Sequence, residues 1–272
     1  MFIHSMFISY AIVLHSVVPV RSEPSEGAEQ ETQLLFGETC QIIEEQPRWY
    51  KIRNDYDGQE GWVDFKMITK MSEEEYNQYR SSDLTAMVKM PMAFAVCTKN
   101  NLTYPLTAGT RLSNYNDGKF SLLGLEFLID PNMVAPQPLE MTEENILQVT
   151  RYFLNIPYLW GGKKCMGLDC SGFTGIILSL FGKQLLRNAR EQVLQGTEVG
   201  FLSEAQCGDL VFFDHHSRDP KQTNISHVGM LLSPDLVVHC SGRVKIEKID
   251  ANGIYSDELQ SYTHDLRAIR RY

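Results

Sequence analysis

Positive charge is in short supply in this chain: 25 Lys and Arg stand against 34 Asp and Glu, a formal net charge of −9. A nucleic-acid partner calls for a basic face, so that class is excluded, as is simple electrostatic attraction to an anionic membrane or polymer. Long apolar runs are nearly missing too. The one candidate is the beginning, MFIHSMFISYAIVLHSVV, and it lacks the parts of an export signal. No Lys or Arg precedes its apolar part, His15 and Ser16 interrupt it, and no small-x-small cleavage site follows. We read it as the start of a folded β-strand, Ala11 to Arg21, and no other segment is apolar enough to span a membrane. Close cysteine pairs are equally scarce. Cys40, Cys97, Cys165, Cys170, Cys207 and Cys240 are scattered over a chain long enough to need no stapling, which predicts mostly reduced thiols and a cytoplasmic address; export is the alternative if the apolar start acts as a signal. Zinc could draw on Cys165, Cys170, His227, His239 and Cys240, but no second close pair answers the first, so no metal and no cofactor is expected.

What the sequence does have, from Ala11 to Met67, is a series of short β-runs separated by turn chemistry. Gln33 to Phe36 and Cys40 to Ile43 are two of them, and Trp49 to Arg53 pairs with Gly61 to Val63 across Asp57-Gly58. Closely spaced short strands of this kind suggest a small barrel. Ser72 and Glu75 form a capping box that starts a connecting helix carrying Tyr76 and Tyr79. A second β-rich stretch runs from Thr85 to Ile129, with another Asp-Gly turn at Asp117-Gly118. Prolines at 131, 136 and 138 mark a boundary. Beyond it, Thr142 caps a helix with Ile146, Val149 and Phe153 on one face, ending at Pro157. A polar segment covers Arg187 to Gln206. Strands are expected at Asp209 to Asp214, His227 to Leu232, Leu236 to Cys240 and Arg243 to Ile249, an α+β arrangement.

The stretch Tyr158 to Gly172, YLWGGKKCMGLDCSG, leads a glycine-rich loop into the apolar run FTGIILSLF. Helical spacing of Phe173, Ile176, Ile177 and Leu180 puts Cys170 in the first turn of a buried helix. A helix N-terminus favours a thiolate, because unpaired amides and the macrodipole place partial positive charge there. A nucleophilic cysteine also needs a base and a group to orient the base. If the strands joined by Ser233-Pro-Asp235 form a hairpin centred on Pro234, Gly229 lies opposite His239, and His227 sits diagonally adjacent on the same face. A slip of one residue would separate the two histidines. Taken singly, a buried cysteine or a strand histidine is more often core than catalyst.

Four segments in combination carry a resemblance. Asp169-Cys-Ser-Gly172, Gly208-Asp-Leu-Val-Phe-Phe213, His227-Val-Gly229 and His239-Cys-Ser-Gly242 resemble the NlpC-type cell-wall peptidases, papain-like enzymes that cleave peptidoglycan stem peptides. Upstream, Val18 to Ser25, Leu34 to Thr39, Trp49 to Ile52 and Glu60 to Val63 resemble a bacterial SH3-like domain. The resemblance implies an α+β papain-like catalytic domain at 137–272, preceded by an SH3-like domain at 8–70, a linker helix at 71–84 and a degenerate second SH3-like domain at 85–136. It implies Cys170 as nucleophile, His227 as general base, His239 as the residue orienting it, and Tyr158 as a partner of the Cys170 amide at the oxyanion. Members with two SH3-like domains ahead of Asp-Cys-Ser-Gly look like enzymes that release L-Ala-γ-D-Glu from trimmed stem peptides with a free N-terminal L-Ala. In them the SH3-like part walls off the amine end of the groove. Asp169 and Ser171 would then read the substrate ammonium, with Glu60 and Tyr104 as the SH3-like contributions. The expected partner is a small murein peptide, with no nucleic acid and no membrane, and the chain is expected to be a monomer. The rival readings are an exported wall endopeptidase, a non-catalytic wall-binding module, and an amidase or acyltransferase using the same Cys and His.

Overall fold

Residues 9–214 and 224–272 are described by the structure, a computed structural model. The chain divides after Pro138 into two compact units.

The first unit begins with strands β1 (Ser9–Ile12), β2 (Val17–Arg21), β3 (Gln30–Leu35), β4 (Thr39–Glu45), β5 (Trp49–Asn54), β6 (Glu60–Asp64) and β7 (Thr69–Met71). They form one antiparallel sheet in the order β3-β2-β6-β5-β4-β1-β7. The single strand expected from Ala11 to Arg21 is two strands. The backbone of Val13 bonds to Glu38 and Gly37, and exposed His15 then marks the turn where the chain leaves β1 and returns as β2 against β3 and β6. The polar pair His15-Ser16 cannot be buried without partners, so the apolar run breaks there. The predicted pairing of β5 with β6 is present, with Ile52 opposite Gly61.

Helix α1 (Glu73–Arg80) starts with the predicted capping box between Ser72 and Glu75. The Tyr79 hydroxyl donates to the Gly37 carbonyl at 2.8 Å, and Tyr76 stacks on Tyr10 at 4.0 Å between centroids. The segment that follows contains β8 (Met87–Val88), β9 (Met92–Cys97), β10 (Thr103–Thr107), β11 (Lys119–Leu122), β12 (Leu125–Ile129) and β13 (Val134–Ala135). Four of these make a sheet in the order β10-β9-β12-β11, and β8 pairs with β13. At the Asp117-Gly118 turn both residues take positive φ, 41° and 80°, the twist that favours this dipeptide in a tight hairpin. Phe36, at the end of β3, meets the rings of Tyr104, Phe120 and Phe127 edge-on, so the two β-rich parts share a core.

The second unit opens with α2 (Glu143–Arg151), capped by Thr142 through Asn145 N–H at 3.3 Å. Ile146, Val149 and Phe153 are buried as predicted. The helix stops before Pro157: Asn155 takes φ 68° and donates its N–H to the Val244 carbonyl. Next come β14 (Lys163–Lys164), β15 (Gly167–Leu168), α3 (Cys170–Leu180), α4 (Ala189–Gln192), β16 (Thr197–Glu198), β17 (Leu210–Asp214), β18 (His227–Ser233), β19 (Leu236–Ser241), β20 (Arg243–Asp250), β21 (Gly253–Ser256) and β22 (Ser261–Arg271). The antiparallel sheet runs β16-β22-β17-β18-β19-β20-β21, and β21 pairs also with β22, closing the last six strands into a ring. Val211, Phe213, Leu231, Val237, Ile254 and Ile269 form its core. Helix α3 lies against β18 and β19 and buries Phe173, Ile176, Ile177 and Leu180. Each such side chain stabilises the packing by about 1.5–3 kcal/mol. That packing sets Cys170 beside the sheet.

Candidate active site

Cys170 is the first residue of α3, and Asp169 is its N-cap, accepting the Gly172 N–H at 2.6 Å. The glycines around it permit close approach. A Cβ on Gly172 would run into the Gly162 carbonyl, and one on Gly162 would run into the Gly167 carbonyl. The loop is therefore laid directly on the helix start. Its other anchor is Tyr158, whose N–H donates to the Gly242 carbonyl at 2.9 Å, while the Cys240 thiol donates to the Leu168 carbonyl at 3.1 Å.

The Cys170 sulfur is buried within hydrogen-bonding reach of the amides of Val228 and Ser171. Val228 follows His227 at the start of β18. The thiolate expected from the helix position is overruled: burial and then the Asp169 charge push the thiol up to about 12, against the two amides and Arg187. A helix terminus contributes about 0.3–1 kcal/mol, too little to offset the loss of hydration. The resting residue is a thiol. Burial, with the Asp169 carboxylate adding to it, also holds the Tyr158 hydroxyl above its ordinary range, so it is a neutral donor beside the cysteine.

The β18–β19 hairpin has the expected register. Gly229 faces His239, Met230 faces Val238, and a bulge between Leu231 and Ser233 absorbs the turn. His227 Nε2 lies 2.9 Å from His239 Nδ1, and both rings are buried. Glycine at 229 is required by this contact, because a Cβ there would come within 3.0 Å of His239 Cβ and 2.7 Å of a Val237 methyl.

Three residues of this neighbourhood are absent from the sequence reading. Glu247 on β20 places Oε2 2.9 Å from His239 Nε2 and 3.0 Å from Lys245 Nζ. Burial raises its carboxyl, but hydrogen bonds from His239, Lys245 and Ser256 outweigh this and bring it to about 2. Burial also lowers the His239 imidazole against the pull of Glu247, so a neutral ring meets a carboxylate. His264 on β22 lies against His227, 4.2 Å between centroids with the rings tilted by 31°. The third is Arg187, in the segment read as merely polar. It is buried, with Nη2 2.5 Å from Asp169 Oδ2, and Nη1 3.1 Å from Asp169 Oδ1 and 3.0 Å from Ser171 Oγ. Gln192 on α4 donates to the Ser171 carbonyl at 3.1 Å and accepts from Thr174 at 3.0 Å. The only local signal for any of these was the polar character of Arg187 to Gln206, which is also that of a surface loop.

Arg187 alters the expectation for Asp169 and Ser171. They are together and buried at the helix start, but the carboxylate expected to hold a substrate ammonium is already paired bidentately with a guanidinium and caps the helix. Glu60 and Tyr104 lie in the first unit. Glu60 pairs with Arg53 at 2.7 Å on the surface of β6, and the Tyr104 ring packs on Phe36 and Phe127. Among the described residues no group of three or more His, Cys, Asp or Glu side chains is placed to hold a metal ion.

The arrangement is that of a thiol beside a buried pair of imidazoles, and the chain that carries it is similar to known proteins. The γ-D-glutamyl-L-lysine dipeptidyl-peptidase of Bacillus subtilis (strain 168) is 29% identical over 221 residues, 77% of this chain and 71% of that protein. Dipeptidyl-peptidase 6 of Lysinibacillus sphaericus is 25% identical over 282 residues, 92% of this chain and 95% of that one. The crystal structure of an NlpC/P60 family protein from Bacillus cereus ATCC 10987 superposes with a TM-score of 0.79 at 20% identity, covering 97% of this chain and 99% of that one, and so shares its fold. Residues 16–68 match the bacterial SH3 domain and residues 155–264 the NlpC/P60 family: the chain carries an NlpC/P60 domain behind a bacterial SH3 domain.

Proposed function

We propose that this cysteine peptidase hydrolyses the bond between γ-D-Glu and the following diamino acid, meso-diaminopimelate or Lys, in free murein stem peptides, releasing L-Ala-γ-D-Glu. The observation that carries the reading is the buried His227–His239 contact at 2.9 Å beside the thiol of Cys170, in a chain whose relatives are named dipeptidyl-peptidases of this bond class. Cys170 Sγ attacks the γ-carbonyl of D-Glu as its proton passes to His227. The developing oxyanion is met by the Cys170 N–H, one of the first-turn amides that have no partner within the helix, and by the Tyr158 hydroxyl. Collapse of the tetrahedral intermediate breaks the C–N bond, and His227 returns the proton to the departing amine. Water, deprotonated by His227, then hydrolyses the thioester and restores the thiol.

A preference for an unblocked N-terminal L-Ala is part of this proposal, with Asp169 and Ser171 at the amine end. Because Arg187 already balances Asp169, the ammonium would meet the hydroxyl and a carboxylate of reduced net charge, and a further acid must complete the subsite. We place the enzyme in the cytoplasm, acting on free peptides in recycling; support for this comes from Ala11 and Ile12, at the heart of the apolar start, which are fully buried in the sheet. The test is incubation with L-Ala-γ-D-Glu-meso-diaminopimelate, its Lys counterpart and their N-acetylated forms, with products identified by mass spectrometry. Equal cleavage of free and acetylated peptides would overturn the amine preference. Cleavage by the Cys170→Ala chain would overturn the mechanism.

A further inference from the structure

Glu247 is diagonal to His239 across the β19–β20 ladder, where His239 faces Lys245 and Val237 faces Glu247. A carboxylate has only lone pairs to offer. The 2.9 Å contact between Glu247 Oε2 and His239 Nε2 therefore needs the hydrogen on His239 Nε2. A neutral imidazole has one N–H, which leaves His239 Nδ1 with a lone pair. The 2.9 Å contact from that atom to His227 Nε2 must then be a donation by His227. His227 is thereby fixed as the Nε2–H tautomer, and its Nδ1 carries the lone pair.

We propose that Glu247 is a positioning residue for the peptidase reaction, holding His227 through His239 in the tautomer whose Nδ1 can act as a base. The proposal rests on the reading of His227 as that base. Both nitrogens of His239 are engaged, Nε2 by Glu247 and Nδ1 by His227. If His239 carried both hydrogens, it would donate from Nδ1 as well, and His227 Nε2 would have to accept. His227 would then keep its hydrogen on Nδ1, where it could not take another. The neutral state of His239 and the ionised state of Glu247 described above both favour the productive direction. Lys245 Nζ lies 3.0 Å from the same oxygen, Glu247 Oε2, that meets His239.

The test combines histidine-ring 15N NMR of the full chain with kinetics of the wild type, Glu247→Gln, Glu247→Asp and His227→Ala. A glutamine amide can turn to donate instead of accept, so it no longer dictates the direction of the chain. The wild type is expected to show His239 and His227 both as Nε2–H tautomers, and Glu247→Gln to show a mixture at His227. With peptide substrate, Glu247→Gln should lower kcat on the order of ten- to a hundredfold with little change in KM, and Glu247→Asp should recover part of the loss. An Nδ1–H tautomer at His227 in the wild type would overturn the proposal without any variant having to fold. So would a Glu247→Gln chain, folded by its melting curve, that keeps wild-type tautomers and turnover. Full activity in His227→Ala would instead remove the base reading itself, a result distinct from both.

Discussion

Replacing Arg187 by Met keeps an unbranched stem but takes the guanidinium away from Asp169. Both side chains are out of water, 3% and 8% exposed, and the change deletes the bonds to Asp169 at 2.5 and 3.1 Å and to Ser171 Oγ at 3.0 Å. Removing one partner of a buried ion pair costs about 3–5 kcal/mol, chiefly because a charge stays behind uncompensated. Asp169 would keep its cap to the Gly172 N–H at 2.6 Å, and the partial positive charge of the helix terminus returns about 0.3–1 kcal/mol. The expected loss is thus near the lower end, about 3 kcal/mol, or a fall in Tm of roughly 10 °C for a unit of this size. Urea and thermal unfolding of the full chain measure it. In the double variant Arg187→Met, Asp169→Asn, no charge is left buried and the asparagine still caps, so at least half of the loss should return. A loss under about 1 kcal/mol in Arg187→Met would mean that the pair behaves as a solvated surface bridge, and the carboxylate would then be available to an ammonium. A double variant less stable than Arg187→Met would show that the stranded carboxylate is not the source of the cost.

Gly229→Ala should displace His239, lowering turnover at least about tenfold and stability by about 1–3 kcal/mol; unchanged peptide hydrolysis would show that the place of His239 is not set by this close approach. Because burial keeps Cys170 a thiol, its alkylation by iodoacetamide should accelerate about tenfold per pH unit between pH 7 and 9; a rate independent of pH from 5 to 8 would mean a preformed thiolate. Glu247 titrates at about 2 in the folded chain against an ordinary 4.5, a lowered value, so its contribution is complete above about pH 4.5 and disappears as the pH falls toward 2. Allowing for solvent screening, that contribution is about 1–2 kcal/mol. Glu247→Gln should flatten this part of the acid-unfolding curve, and an unchanged acid limb would show that the carboxyl is not held down.

The legible features were those encoded over a few residues. The capping box at Ser72 and Glu75, the cap at Thr142, the apolar face of α3 and the hairpin around Pro234 each depend on neighbours in sequence, and each has the predicted form. Strand limits were less secure: Ala11 to Arg21 reads as continuous until a polar pair must choose between burial and a turn. The second β-rich stretch, from Thr85 to Ile129, gives away its β character and its Asp117-Gly118 turn but not that Phe36 from the first would supply its core. Nothing local marks Arg187, Glu247 or His264 either. Each reaches the site through a long-range contact, Arg187 from the segment before α4, Glu247 across β20, and His264 because β22 closes the ring of strands.

The same distinction between local and tertiary causes accounts for the cysteine. Its helix position predicts a thiolate, and the prediction fails because the packing that places Cys170 beside the sheet also strips its water. In the proposed mechanism activation comes from the sheet: a base that removes the proton as attack proceeds, held in one tautomer by a second imidazole and a carboxylate behind it. The helix terminus keeps a different use. In the proposed mechanism its amides meet the negative charge that develops on the substrate carbonyl, so they act on the transition state even though they do not ionise the resting thiol. Moving the base or its tautomer should therefore affect proton transfer, while altering the first turn of α3 or Tyr158 should affect the oxyanion, and the two kinds of change should respond differently to substrates whose leaving amine differs in basicity.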